Sequence, residues 1–305
     1  MAVFACSAGN DSSSTDGFSD TTTAAGQPQA GSGAQMTAGT GGAAFVGSAG
    51  VGGVAPSTST GPDTDCAEET KLVYVVSQER GFYSFDPSTL TFTQVGVLHC
   101  PDPGAQPFSM AVDRNGVAWV LYSDSEIFAV DIKTAACTAT SFHSQGPFSS
   151  FGMGFTTNGA TSTQETLYLA NYTGAGLGKL DTTNMVVSAV GPYDQVHASA
   201  ELTGTGDGRL FAFFETTPIQ IGEIDPTNAH VLSLAPQPGV MIGSAWAFAF
   251  WGGSFWLFTN PSGGGSRVTN YDPTTMTTQV VLPNVGGFSI VGAGVSTCAP
   301  VVPPH

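Results

Sequence analysis

Basic residues are nearly missing from this chain. Lys and Arg together number seven in 305 residues, against 23 Asp and Glu, for a net charge of −16. Such a surface repels phosphate, which argues against nucleic acid and anionic lipid headgroups as partners. Charged residues of both signs make up only 10% of the chain, against ~25% in an average globular protein. Solubility therefore rests on Ser, Thr, Asn, Gln and backbone. No apolar run reaches the ~18 residues that a membrane-spanning helix needs. Enzyme signatures are missing too: there is no G-x-S-x-G elbow, no H-E-x-x-H and no C-x-x-C. "GTGDG" (204–208) has the glycines of a phosphate loop, but a strand pattern rather than a helix follows it. His197 and Glu201 are four apart within a strand pattern, where that spacing does not gather them as one helical face would.

What is present falls into two parts. From Ser7 to Asp65 the chain is mostly Gly, Ala, Ser and Thr, with five Asp, two Phe and no Lys or Arg. This composition buries too little apolar area to offset its ordering entropy, so residues 7–65 are expected to form a disordered linker. At ~5–6 Å × √n its root-mean-square span is roughly 40–45 Å. Ahead of it, "VFACS" (3–7) resembles a bacterial lipobox, whose cysteine is lipidated after signal cleavage. A secretory precursor needs a basic region and an apolar stretch before that point. Only five residues precede Cys6, so residues 1–6 read as a truncated signal remnant. The expectation is a lipid on Cys6 as the sole membrane contact. Ser7 resembles an outer-membrane sorting signal, which places the protein in the cell envelope, periplasmic or surface-facing.

The second part repeats. "FYSFDPSTL" (82–90), "IFAVDIKTA" (127–135), "LGKLDTTNM" (177–185), "IGEIDPTNA" (221–229) and "VTNYDPTTM" (268–276) each run an alternating apolar stretch into an aspartate. Asp86, Asp131, Asp181, Asp225 and Asp272 are 45, 50, 44 and 47 residues apart, within the ~40–50 of propeller repeats. A second signal keeps phase with the first. Asn115-Gly116, Asn158-Gly159, Asp207-Gly208 and Gly252-Gly253 sit between apolar runs, where a type I′ hairpin turn is expected. In one repeat, "PFSMAVD", "VAWVLYS", "EIFAVD" and "CTATSF" become strands A to D, and Asp131 opens the C–D turn. An aspartate there accepts backbone N–H bonds two residues on, and a following Pro (Pro87, Pro226, Pro273) presets φ. Calcium at these aspartates lacks the oxygen-rich spacing it would need.

"KLVYVVS" (71–77) matches strand B with no strand A before it, and "GFSIVGAGVSTCAP" (287–300) matches strand A with no strand B after it. Pairing them closes a ring and removes its open edge. The expected fold is all-β: a five-bladed β-propeller over residues 66–300, closed by its N- and C-terminal strands, with a tail at 301–305. Through "FSMAVDRNGVAWV", "FGMGF", "ELTGTGDGRLF", "AFAFWGG" and "VGAGVSTCAP", residues 66–300 resemble uncharacterised β-propeller lipoproteins of myxobacteria. That resemblance implies the same fold and address, and nothing about chemistry.

Four cysteines follow Cys6: Cys66, Cys100, Cys137 and Cys298. In an exported domain they allow three disulfide pairings. Propeller topology brings Cys66, just before strand B, to Cys298, just after the strand A that pairs with it. Cys100–Cys137 then follows by elimination, although the two lie nominally on opposite faces. Zinc held by His99, Cys100, Cys137 and His143 is the competing reading, against the usual ligand spacings and an oxidising compartment. No metal or cofactor is expected.

The inner strands open with serines: Ser109, Ser150, Ser199, Ser244 and Ser289. These are expected to ring one channel mouth, joined by His197, Glu201, Trp246, Arg80 and Glu215. Serine also suits a tight strand entry by satisfying backbone groups locally. The tryptophans Trp119, Trp246, Trp251 and Trp256 are expected to pack between blades, with Trp246 nearest the mouth. Two functions are carried forward. One is a monomeric, non-catalytic module binding an unknown protein or glycan partner at that mouth. The alternative is a propeller hydrolase or lyase acting on a glycan or lactone at the central channel. A glycosidase needs two carboxyls at a set separation; Asp113 sits at the A–B turn, where capping explains it, and beyond the turn regions Glu201 is the only acid in an expected inner strand.

Overall fold

The computed structural model describes residues 66–101 and 104–304. Cys6 and the linker expected over 7–65 lie outside the described residues. After a short 3-10 helix, Glu68–Lys71, the described residues form twenty strands in five antiparallel sheets of four. The first sheet holds β1 (Val73–Ser77), β2 (Gly81–Asp86) and β3 (Thr91–Val97). The second holds β4 (Pro107–Val112), β5 (Val117–Tyr122), β6 (Ile127–Asp131) and β7 (Cys137–Ala139). The third holds β8 (Phe151–Thr157), β9 (Glu165–Asn171), β10 (Leu177–Asp181) and β11 (Val186–Gly191). The fourth holds β12 (Ala200–Gly204), β13 (Leu210–Phe214), β14 (Ile219–Ile224) and β15 (Val231–Gln237). The fifth holds β16 (Trp246–Trp251), β17 (Ser254–Thr259), β18 (Arg267–Asp272) and β19 (Thr277–Leu282). The last strand, β20 (Ile290–Val295), returns to pair with β1, from Val73↔Val295 to Ser77↔Ile290. It thereby supplies the inner strand the first blade lacks, and the chain is a five-bladed β-propeller closed by its two ends. Among the described residues no helix is long and apolar enough to cross a membrane.

The core lies between blades, because each sheet has two covered faces. Val73, Val75 and Phe85 of the first blade pack on Ala247, Ala249 and Phe258 of the fifth. Ala111, Leu121 and Ile127 of the second pack on Met153, Leu167 and Leu169 of the third. Around the axis the inner strands come too close for side chains at several points. A Cβ on Gly152 would lie 2.2 Å from the Ala200 carbonyl oxygen, and one on Gly204 2.2 Å from that of Phe155. This is the close backbone approach that glycine alone permits.

Both disulfides form. Cys66–Cys298 spans 232 residues with Cα atoms 5.9 Å apart, and clasps the first blade beside the β20–β1 pair. Cys100–Cys137 has Cα atoms 5.1 Å apart. The sheet twist removes the difficulty of opposite faces: the outer strand β3 leans over the next blade. A Cβ on Gly96 would stand 2.8 Å from the Ala135 methyl in the β6–β7 turn. With both cysteines oxidised, the zinc set of His99, Cys100, Cys137 and His143 loses two donors. Among the described residues no cluster of three potential metal ligands occurs.

The A–B turns differ from the expected type I′ form. Only Gly252-Gly253 has positive φ at both residues, 63° and 81°. In the second and fourth blades a longer turn ends in one left-handed glycine, Gly116 (φ 81°) or Gly208 (φ 88°). There Asp113 N–H donates to the Val117 carbonyl and Gly116 N–H to that of Asp113, the pattern of a type I turn with a glycine bulge. Asn158-Gly159 begins a wider loop, closed by Asn158 N–H on the Gln164 carbonyl.

Candidate functional site

The C–D turns are built alike in all five blades. Asp86, Asp131, Asp181, Asp225 and Asp272 each accept, through Oδ1, the N–H two residues on, at 2.8–3.0 Å. Four residues after each aspartate stands a non-glycine residue with positive φ: Leu90, Ala135, Met185, Ala229 and Met276. Hydroxyls from Thr134, Thr227 and Thr275 hold the Asp131, Asp225 and Asp272 carboxyls below the usual range. The acid oxygens are satisfied within their own turns, so these aspartates are caps.

The opposite end holds the channel mouth. The ladder registers give each inner strand an equivalent starting point. The first residue after each second strand, Gln78, Ser123, Tyr172, Glu215 or Asn260, donates its N–H to a carbonyl just before the inner strand. The acceptors are Ser289, Gln106, Ser150, Ser199 and Ala245. Three of the five expected serines therefore occupy one position. Ser109 lies deeper, because a bulge between Pro107 and Ser109 inserts a residue and pairs Ser109 with Leu121. Ser244 lies one residue outside the position that Ala245 fills.

The bulge puts Ser109 in step with Glu201. At the second paired position of each ladder the five inner strands carry Gly292, Ser109, Gly152, Glu201 and Ala247. Four are small, and Glu201 takes the room they leave. Ser109 is fully buried and its hydroxyl donates to Glu201 Oε2 at 2.7 Å; the Met153 N–H donates to Ser109 Oγ at 3.2 Å. Glu201, from the fourth blade, thus crosses the third to reach the second. It is 5% exposed. Burial pushes its carboxyl well above the ordinary range, against the Ser109 and Met153 hydrogen bonds. The buried site thus disfavours the charged form of this carboxyl.

Above it opens a hollow of about 360 Å³ whose lining includes Gln106, Phe108, Tyr172, Glu201, Ser244 and Trp246, together with Gln78 and Ser123. Phe108 and Tyr172 meet edge to face at 5.2 Å; Trp246 stands edge-on to Phe213 at 5.4 Å. Tyr172 is 40% exposed. Burial, with the Glu215 and Glu201 carboxyls nearby, raises its hydroxyl above the ordinary value.

Of the other expected residues, Glu215 is exposed, accepts the Ser199 hydroxyl, and lines a neighbouring hollow with Pro218 and Met241. His197 is exposed; its backbone packs near Gly174 in the loop after β9. Ser289 Oγ accepts from Asn260 Nδ2 at 2.8 Å. Arg80 is committed to the junction of the first two blades: Nη2 donates to the Ala105 carbonyl at 2.5 Å, and its guanidinium lies 6.0 Å from the Tyr122 ring centroid. Phe108, Tyr172, Gln78 and Gln106 escaped the sequence reading. Tyr172 and Gln78 recur with the repeat, each following a second strand, but share no residue type that would mark them.

A second hollow, about 500 Å³, opens at the aspartate-turn end between the fourth and fifth blades, with Val301, Val302 and Pro303 on its wall. Its charged groups already answer each other. Arg209 grips Glu223 with two hydrogen bonds, 2.8 and 2.9 Å, and lies 4.7 Å over the Phe211 ring.

No family model and no curated protein matches the sequence. Among solved structures, one titled "Crystal structure of Nidogen/Laminin Complex" aligns at TM-score 0.46 and 12% identity, over 75% of this chain and 81% of that one. TolB from Acinetobacter baumannii aligns at TM-score 0.42 and 16% identity, over 74% of this chain and 56% of that one. Neither likeness carries function. The class, a five-bladed β-propeller, rests on the five sheets themselves.

Proposed function

We propose that this chain is a non-catalytic binding propeller of the cell envelope, held at the outer membrane by a lipid on Cys6, with its ligand site at the channel mouth. The observation that carries the reading is the hollow floored by Glu201 and walled by Phe108, Tyr172 and Trp246. It has the size and mixed lining of a small-ligand or loop-binding site. Glu201 is the single carboxyl among the described residues lining it, with Glu215 in the neighbouring hollow. A hydrolase using paired carboxyls would need both in one site, which favours binding over the hydrolase or lyase reading.

The anchor is supported by "VFACS" and the polar stretch behind it. The clasp at Cys66 lies at the end opposite the mouth. The test is a Glu201→Gln, Trp246→Ala double variant, compared with wild type on glycan and envelope-protein arrays. Loss of a partner with retained folding supports the site. Partners lost only by variants at the aspartate-turn end would refute it. Cys6→Ser should move the protein from the membrane to the soluble fraction; unchanged membrane association would rule out the anchor.

A further inference from the structure

The mouth hollow is short of one thing. No Lys, Arg or His occurs among the described residues that line it, while it holds three aromatic side chains and one carboxyl. From that geometry, and resting on the proposal that the mouth binds a ligand, we infer that the ligand class is an organic cation: an alkylated ammonium group seated among Phe108, Tyr172 and Trp246, above Glu201. Aromatic faces attract such a cation through the ring quadrupole, most strongly where water is displaced. An anion would meet the Glu201 carboxyl and no positive partner.

The floor is built to respond to such a charge. The groups that touch Glu201 are neutral, Ser109 on β4 and Gly152 and Met153 on β8, and the equivalent positions on β16 and β20 are Ala247 and Gly292. Tyr172, after β9, lines the same hollow, and Glu201 and Glu215, after β13, both act on its hydroxyl. With no Lys, Arg or His among the described residues lining the hollow, burial favours the neutral carboxyl over the carboxylate. An ammonium group entering the hollow supplies the missing counter-charge, favours the carboxylate, and releases the proton to solvent. Binding of a cation should therefore be coupled to loss of one proton, whereas a neutral ligand should bind without it. Glu201 would be a positioning and charge-pairing group, not a catalytic one.

The probes are choline and its uncharged isostere 3,3-dimethylbutan-1-ol, titrated into the full chain while tryptophan fluorescence and calorimetry are followed in buffers of different ionisation enthalpy. Choline should bind at least ~10-fold more tightly than the isostere, with proton release that the isostere lacks. Glu201→Gln should abolish the proton release and narrow the preference. Tyr172→Leu, at a ring that is 40% exposed, should weaken choline several-fold while the thermal midpoint stays near wild type. Equal binding of both probes, or binding of neither, overturns the cation assignment. If the array partner of the double variant is nonetheless lost, the mouth remains a binding site for another class; if no array partner is lost either, the site itself falls.

Discussion

At one end of the propeller, Asp86, Asp131, Asp181, Asp225 and Asp272 hold the same place and make the same bond to the N–H two residues on. At the other end, the five equivalent positions after the second strands carry Gln78, Ser123, Tyr172, Glu215 and Asn260. The backbone is as regular there as at the aspartate end, since all five N–H groups reach the carbonyl before the inner strand. The difference is who does the capping. In the C–D turns a side chain satisfies the backbone, so its identity repeats. At the mouth the main chain satisfies itself, and the side chains are free to differ and to build a surface. Uniformity marks the end where side chains cap their own turns, and variety marks the end where we propose a ligand binds.

The largest test of that division is the clasp. Replacing Cys66 and Cys298 by Ala or Ser should destabilise the propeller by about 5.5 kcal/mol on the chain-entropy model for a separation of 232 residues, read as a lowered unfolding midpoint. The mouth should keep its ligand preference, and a changed preference would mean that the two ends are coupled. Next is Glu201. Its raised folded pKa means stability that is full below the ordinary carboxyl range and is lost as pH rises from there, because only the unfolded chain ionises freely. Glu201→Gln should therefore raise the thermal midpoint at pH 8 and leave it nearly unchanged at pH 4. An equal shift at both would show that the carboxyl is not held neutral.

The aspartate turns should show the opposite sign. The Asp131 and Asp225 carboxyls are held low by the Thr134 and Thr227 side chains and neighbouring N–H groups. The stability they contribute is present at neutral pH and fades as pH falls through their lowered pKa values. Asp131→Ala should cost about 1 kcal/mol at pH 7 and less at pH 3; no pH dependence would break the capping account. Smallest is Met276, 81% exposed with φ 55°. Met276→Gly should stabilise by about 0.5 kcal/mol, because a left-handed residue pays for its Cβ and this one packs on little. The same change at Met185, which is buried, should destabilise through lost packing.

Periodicity along the chain was enough for the number of blades, the place of every C–D turn, the β20–β1 closure and the Cys66–Cys298 bond. These follow from alternation, turn-forming aspartates and the need to leave no sheet edge unpaired, all of which are local or topological demands. The left-handed residues four positions after each aspartate were not legible, since Leu90, Ala135 and Met276 carry no glycine signature and the turn imposes their φ. The Cys100–Cys137 bond became intelligible only with the twist that carries β3 over the β6–β7 turn. At the mouth, Glu201 stood out as the lone acid of an inner strand, but its partner did not. A one-residue bulge moved Ser109 out of the serine ring and under that carboxyl, and four small residues from four blades made room for it. Which side chains meet across a closed ring depends on register and on the size of neighbours far apart in the chain, and only the folded structure sets both.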